Sequence, residues 1–141
     1  MVYADTSFLV SLYSPDSHST SASATIARLR TSVFLTPLGE LELLNALQVR
    51  VFRKEATASQ IRLAEAQLQD HIASGFFAQQ AMPPTVYERA RQITRARTAA
   101  SGLRTLDILH VASAILLKGE RFLTFDQRQE RLAKAEGLRL A

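Results

Sequence analysis

The sequence begins with MVYADTSFLV (residues 1–10), in which a short apolar segment runs directly into Asp5, Thr6 and Ser7. A short apolar run that ends in polar residues is typical of a buried strand. Asp is also a favoured N-cap residue, so the stretch predicts a strand over residues 2–4 and a helix after Asp5. A carboxylate and two hydroxyls at this point have a capping interpretation and a catalytic one, and the rest of the chain decides between them.

The same pattern recurs along the chain. Short apolar segments alternate with helical patterns, which favours a parallel sheet with helices on both faces. In such a sheet, ligands bind at the carboxyl ends of the strands, near the point where the strand order reverses. The predicted strands are residues 2–4, 32–37, 76–82, 121–125 and 138–141, the predicted helices are 40–54, 59–73, 85–100, 105–118 and 127–136, and the Ser-rich stretch 14–23 is a loop that leads into a further helix.

Length and composition restrict the class of protein. The 141 residues are 47% hydrophobic, which predicts one domain over residues 1–141 with a core of its own. The absence of cysteine excludes disulfides and thiolate metal sites. The apolar runs are shorter than the roughly 18 residues that span a bilayer, and Asp5 interrupts the region where a signal peptide would be apolar. We therefore expect a soluble cytoplasmic protein, and the net charge of +4 modestly favours an anionic partner.

Four acidic residues lie at strand ends or near helix starts. Asp5 and Asp126 directly follow predicted strands, Glu42 lies in the first turns of a helix, and Asp107 opens the most apolar helix of the chain. Taken singly, each could cap a helix or complement its dipole. Residues 108–116 leave almost no polar face, however, so Asp107 points inward and requires a partner, a raised pKa or a cation.

If these acids converge, they repel one another unless a cation is present. Oxygen ligands suit magnesium or manganese, which polarises a phosphodiester and activates water for attack. Arg104 and the other arginines of residues 89–104 form either an RNA-binding face or a solvated helix face. Asn45 either orients Glu42 or is a plain surface amide, and His110 is interpreted as a packing residue outside the site.

Four segments in this order resemble the PIN-domain ribonucleases, and in particular the small VapC-type toxins of toxin–antitoxin pairs. The resemblance covers essentially the whole chain, and it implies a PIN-like α/β fold with a central parallel sheet of about five strands flanked by helices on both faces. It also implies an endoribonuclease that depends on Mg²⁺ or Mn²⁺. The segments are VYADTSFLVSLY (2–13), LTPLGELELLNAL (35–47), LRTLDILHVASAILL (103–117) and FLTFDQR (122–128).

The resemblance also implies the site. Its four catalytic acids fall on Asp5, Glu42, Asp107 and Asp126, and Asp5 and Asp107 are the metal ligands. The spacing to the Asn-Ala-Leu segment selects Glu42 rather than Glu40, although helical phase alone does not decide between them. The accessory residues are Thr6 and Ser7 after the first acid, Asn45, Arg104, and Thr124, which is expected to position the carboxylate of Asp126.

The resemblance implies three partners as well. These are an RNA substrate, an antitoxin whose C-terminal segment covers the acidic cleft, and a second copy of the chain in a homodimer. The apolar segments 41–52 and 108–117 are the surfaces that the sequence offers for the homodimer.

Two alternatives belong to other functional classes. One is a non-catalytic RNA- or protein-binding module on the same fold, which the presence of all four acids disfavours. The other is a phosphate enzyme or phosphoacceptor with Asp5 as nucleophile. A haloacid-dehalogenase type has a second Asp where this chain has Ser7, and a receiver type has a pair of acids after the first strand, which is missing here.

Overall fold

The computed structural model of the chain describes residues 1–140. Each of the five predicted strands is confirmed in position, but each is only two or three residues long. Ala141, the last residue of the fifth predicted strand, lies outside the described residues. The strands are β1 (Val2–Ala4), β2 (Val33–Leu35), β3 (Phe77–Gln79), β4 (Arg121–Leu123) and β5 (Arg139–Leu140).

The predicted helices are present with shifted bounds. The helix after β2 begins at Pro37, three residues earlier than predicted, because the Thr36 hydroxyl caps it and proline is favoured in the first turn. The predicted helix 85–100 is divided by a π-helical segment, Thr94–Thr98. The helices are α1 (Thr6–Tyr13), α2 (Ser19–Arg28), α3 (Pro37–Phe52), α4 (Ala58–Ala73), α5 (Val86–Ile93), α6 (Ala99–Ser101), α7 (Thr105–Leu116) and α8 (Gln127–Ala135).

The strands form one parallel sheet in the order β3-β2-β1-β4-β5. The chain builds outward from β1 through β2 to β3, and then returns to place β4 on the other side of β1. The strand order therefore reverses between β1 and β4, and the carboxyl ends of these two strands are where a ligand site is expected.

Helices cover both faces of the sheet, as predicted. Val2 and Ala4 of β1 pack with residues of α1 to α4, whereas Tyr3 points to the opposite face and packs with α5, α7 and α8. This alternation follows from the two-residue period of a strand. Within residues 1–140, no helix is both long enough and apolar enough to cross a membrane.

The two apolar segments offered for a homodimer differ in exposure. Residues 108–114 of α7 are buried within the chain, so this part of the second segment does not form an exposed apolar surface. The first segment, on α3, leaves Leu41 65% and Phe52 85% exposed. Apolar surface for a partner is therefore available on α3, while the apolar character of α7 is explained by the core.

Candidate active site

Asp5 lies at the carboxyl end of β1 and caps α1. Its Oδ1 accepts hydrogen bonds from the Phe8 amide (2.9 Å) and the Ser7 hydroxyl (2.8 Å), and its Oδ2 accepts one from the Thr124 hydroxyl (2.6 Å). The side chain is fully buried, and this burial raises the pKa of the Asp5 carboxyl above its usual value despite these hydrogen bonds. The capping interpretation is confirmed, and the same carboxylate is also tied to the end of β4.

The Ser7 hydroxyl joins α1 to the segment that follows β4. It donates to Asp5 and accepts from the amides of Phe125 (2.9 Å) and Asp126 (3.2 Å). Thr124 donates to Asp5 and accepts from the Asp126 amide at 3.0 Å. Contrary to expectation, Thr124 thus contacts the backbone of Asp126 and not its carboxylate, because that carboxylate turns away to cap α8.

Glu42 is held by two groups from other elements. The Thr6 hydroxyl donates to its Oε2 at 2.8 Å, and Nε2 of His110 contacts the same oxygen. Partial burial raises the pKa of Glu42, but the His110 and Thr6 hydrogen bonds outweigh burial and hold the pKa below its usual value. Glu42 is therefore an ionised, fixed carboxylate.

The other candidate for the second acid points elsewhere. Glu40 accepts hydrogen bonds from Gln69 (2.8 Å) and from Gln79, on the far side of α3. Asn45 is exposed and makes no hydrogen bond to Glu42 within residues 1–140, so the structure does not support an orienting role for it. It lies one turn further along α3, outside the pocket that Glu42 lines. This geometry favours Glu42 over Glu40.

Asp107 has the partner that its burial requires, and this partner is Arg104. The guanidinium donates from Nε to Oδ2 (2.7 Å) and from Nη2 to Oδ1 (2.9 Å), while the Asp107 side chain is only 5% exposed. Asp107 is therefore paired with a cation, and α7 has no side-chain cap. The capping interpretation of Asp107 is wrong, and Arg104 is a cation within the chain that reduces the repulsion expected between the acids.

Asp126 completes this network and also caps a helix. Its Oδ1 accepts from the amides of Arg128 (2.7 Å) and Gln129 (3.2 Å), and its Oδ2 accepts from Nη2 of Arg104 (2.9 Å). Partial burial raises the pKa of Asp126, but the two amides and the guanidinium outweigh it and hold the pKa below its usual value. Arg104 bridges the two acids, as expected of the arginine nearest the site.

His110 was left out of the predicted site, but it contacts Glu42. The ring is 1% exposed, and its Nδ1 lies 2.6 Å from the hydroxyl of Tyr3. A carboxylate only accepts, so Nε2 carries a proton toward Glu42, and in the neutral ring Nδ1 accepts from Tyr3. The one signal in the sequence is that His110 lies one turn after Asp107 on the same helix, and this spacing does not identify Tyr3 or Glu42 as its partners.

The loop between α1 and α2 forms a wall that the sequence did not predict. The Asp16 carboxylate accepts hydrogen bonds from the Ser11 hydroxyl and the His18 amide, both at 2.8 Å, and pairs with Arg50 at 3.3 Å. The His18 ring stacks on Phe125 with the ring centroids 4.6 Å apart. The loop is thus fixed against both α3 and the end of β4.

These side chains surround one open cavity of about 600 Å³. Glu42, Asp107 and Asp126 line it together with Arg104, at the carboxyl ends of β1 and β4. Asp5 is not among the lining residues, and lies behind the hydroxyls of Ser7 and Thr124. Three of the four predicted acids therefore reach the same cavity, and the fourth supports its floor.

The donor set fits a hard divalent cation in chemistry, because carboxylates and hydroxyls are the ligands that Mg²⁺ and Mn²⁺ prefer. Within residues 1–140, however, no three acidic or histidine side chains are close enough together to hold a metal ion. The Arg104 guanidinium lies between Asp107 and Asp126 and supplies the positive charge that these acids require. Metal binding at these acids therefore requires Arg104 to give up at least part of its contacts.

Comparisons with solved structures show the same fold at low sequence identity. Mycobacterium tuberculosis VapC20, described as a sarcin-ricin loop cleaving toxin, is 16% identical, with a TM-score of 0.74 over 98% of this chain and 96% of that one. FitAcB from Neisseria gonorrhoeae is also 16% identical, with a TM-score of 0.72 over 99% and 96%. VapBC2 from Rickettsia felis, solved with a DNA fragment from its promoter, is 14% identical, with a TM-score of 0.67 over 100% and 98%.

The likeness to these three structures is one of fold, because so little of the sequence is shared. No curated protein sequence matches the chain significantly. A family model gives the clearer result, since the PIN domain model matches residues 2–135, nearly the whole chain. The resemblance inferred from the four sequence segments is thereby confirmed at the level of the family. The chain belongs to the PIN domain family.

Proposed function

We propose that the chain is a metal-dependent endoribonuclease that cleaves RNA phosphodiester bonds, and that it is the toxin of a toxin–antitoxin pair. The observation that carries the proposal is the convergence of Glu42, Asp107 and Asp126 on one cavity at the carboxyl ends of β1 and β4. Membership of the PIN domain family supports the nuclease activity. The structural likeness to VapC20 and to the VapBC2 assembly supports the toxin role and an antitoxin partner.

In this proposal each acidic residue and Arg104 has a separate role. Asp107 would hold Mg²⁺ or Mn²⁺ together with Asp5, whose buried carboxylate would have to exchange its hydrogen bond from Ser7 or Thr124 for the ion. The ion would polarise the phosphodiester and activate a water for attack. Glu42, held by Thr6 and His110, would accept a proton from the attacking water. Asp126 adds negative charge at the same cavity, and Arg104, released from the acids, is free to bind a substrate phosphate.

The other residues at the site support these groups. Thr6 orients Glu42, while Ser7 and Thr124 hold the carboxylate of Asp5 in place. We further propose that the chain acts as one domain in the cytoplasm and pairs with a second copy through exposed apolar residues of α3, such as Leu41 and Phe52.

The test is cleavage of RNA by the purified protein with Mg²⁺ or Mn²⁺ and again with EDTA. We expect cleavage only with metal, and a loss of about 100-fold or more in Glu42→Gln and Asp107→Asn, the range for removal of a catalytic group. Glu40→Gln is the matched control, because Glu40 lies on the same helix and outside the cavity. Cleavage that persists in EDTA, or equal rates in all three variants, contradicts the site. A wild-type protein that binds RNA without cutting it is a binding module instead.

A further inference from the structure

The basic residues of the chain differ in whether an acid neutralises them. Arg89 and Arg97 both pair with Glu136, whose side chain is only 8% exposed. The segment that the sequence offered as an RNA-binding face is thus partly committed to internal ion pairs. On α8, in contrast, Arg128 and Arg131 make no salt bridge within residues 1–140, although Lys134 on the same helix pairs with Glu130.

These two free arginines line a second cavity with Arg97. We call it the arginine pocket and define it by Arg97, Arg128 and Arg131. It has a volume of about 220 Å³, and the Ser101 side chain lies on its wall. No carboxylate among residues 1–140 lines it. The unpaired guanidinium groups of Arg128 and Arg131 suit a phosphate, because the planar fork of arginine matches phosphate oxygens in pairs. Arg97, whose Nε and Nη2 are engaged, adds its Nη1 group.

Arg97 is held in place at this pocket. Its Nε donates to Glu136, and its Nη2 donates to the carbonyl of Ala135 at 2.6 Å. Arg97 lies in the π-helical segment, and these contacts join that segment to the end of α8. One guanidinium of the pocket is therefore fixed before any ligand binds, which lowers the entropy that phosphate binding costs.

The arginine pocket lies beside the acidic cavity. Leu103 lines the arginine pocket and Arg104 lines the acidic cavity, while Arg128 lines the arginine pocket and Gln129 the acidic cavity. Consecutive residues of two different segments thus face the two cavities. A strand of RNA that has one phosphate at the acids can therefore place a neighbouring phosphate among the arginines.

We propose that the arginine pocket is a subsite for single-stranded RNA, which binds a phosphate next to the one that is cleaved. The proposal rests on the proposed function and adds to it a place where substrate is held away from the acids. Positive charge is needed there because the acids repel the RNA backbone, and the arginines offset this repulsion without competing for the metal.

The first experiment measures binding of a short fluorescein-labelled single-stranded RNA in EDTA, by fluorescence anisotropy over a range of salt concentrations. The variants are Arg128→Gln, Arg131→Gln and the double variant. The matched control is Lys134→Gln, which removes the same charge from the same helix but from a paired side chain. We expect the arginine variants to bind the RNA more weakly than the wild type. In the double variant, the slope of log Kd against log salt concentration should be lower than in the wild type by about 0.7, because one phosphate contact is lost.

The second experiment measures cleavage of the same RNA with Mg²⁺. The arginine pocket lies outside the acidic cavity, so we expect the double variant to raise KM and leave kcat unchanged. Competition of inorganic phosphate with the labelled RNA distinguishes an RNA subsite from a site for free phosphate. If phosphate binding depends on the arginines but RNA binding does not, the RNA assignment is overturned.

The outcomes separate the inference from the proposed function. Arginine variants that match Lys134→Gln in affinity and in salt slope overturn the subsite, and so does a wild-type protein that binds no RNA. An arginine-dependent salt slope in a protein that never cleaves RNA supports the subsite and contradicts the nuclease.

Discussion

Replacement of Arg104 by Gln tests the acidic cavity through stability rather than activity. The change removes the two N–H donors of Arg104 whose hydrogen bonds the Asp107 carboxylate accepts. The Asp107 side chain is only 5% exposed, so water replaces these donors poorly. Loss of one partner from a fully buried pair costs about 3–5 kcal/mol, and from an exposed pair about 0–1 kcal/mol. Because the Arg104 side chain is 55% exposed, solvent screens the interaction, and we expect a cost of about 1–2 kcal/mol in EDTA.

That cost corresponds to a fall in melting temperature of about 3–10 °C for a chain of this size. In excess Mg²⁺ we expect a smaller fall. The ion then supplies the positive charge that the arginine supplied, and it stabilises the variant more than the wild type because nothing competes for Asp107. The assay is thermal unfolding of both proteins, each in EDTA and in excess Mg²⁺.

Two controls accompany the measurement. Arg91→Gln removes an arginine that is also three residues from its acid, Glu88. Both side chains of that pair are more than half exposed, so the melting temperature of this variant should stay close to that of the wild type. In an Asp107→Asn background, Arg104→Gln should cost much less, because its main partner is already neutral. An equal fall for Arg104→Gln in EDTA and in Mg²⁺ would refute the competition between arginine and metal, and a fall no larger than that of Arg91→Gln would refute the pairing.

Two further predictions concern His110, which is buried behind the cavity and contacts Glu42, and Asp16, which lines the cavity. His110→Gln keeps an N–H near the position of Nε2 and should retain activity. His110→Asn keeps a polar group only near the position of Nδ1, which faces Tyr3, and should lower kcat by about 10–100-fold with little change in KM. Steady-state kinetics that rank the two variants equally would contradict this role. For Asp16, partial burial raises the pKa, but its hydrogen bonds and the charge of Arg50 outweigh burial and hold the pKa below its usual value. The ionised carboxylate therefore stabilises the fold at pH values above its pKa in the unfolded chain. Asp16→Asn should lower the melting temperature at neutral pH, and the difference should shrink as the pH falls from about 5 toward 3; a deficit independent of pH would show that charge is not its cause.

Local patterns predicted the parts of the site that depend on local structure. Asp5 and Asp126 each follow an apolar strand and precede a helix, and both positions follow from the sequence alone. The inward direction of Asp107 followed from the apolar surroundings of α7. These predictions needed only the period of a helix and the residue preferences of its ends.

Contacts between distant residues could not be predicted in this way. Thr124 was assigned to the nearby Asp126, but its hydroxyl donates to Asp5, which is 119 residues away. His110 looked like a packing residue because its partners, Tyr3 and Glu42, come from other elements. The arginines after residue 88 looked free because Glu136, which pairs with two of them, lies more than 35 residues further along the chain. In each case the partner is determined by the tertiary fold and not by sequence spacing.

The hydroxyl of Ser7 has a consequence for the order in which the protein folds. It bonds the amides of Phe125 and Asp126, more than 110 residues later in the chain, and the sheet places β4 beside β1. Pairing of strands so far apart requires closure of a long loop, which is entropically unfavourable and slow relative to local helix formation. Helices α1 to α4 can therefore form during synthesis while the acidic cavity does not yet exist. The cavity is a property of the completed sheet, and it is absent from any amino-terminal portion of the chain that stops before β4.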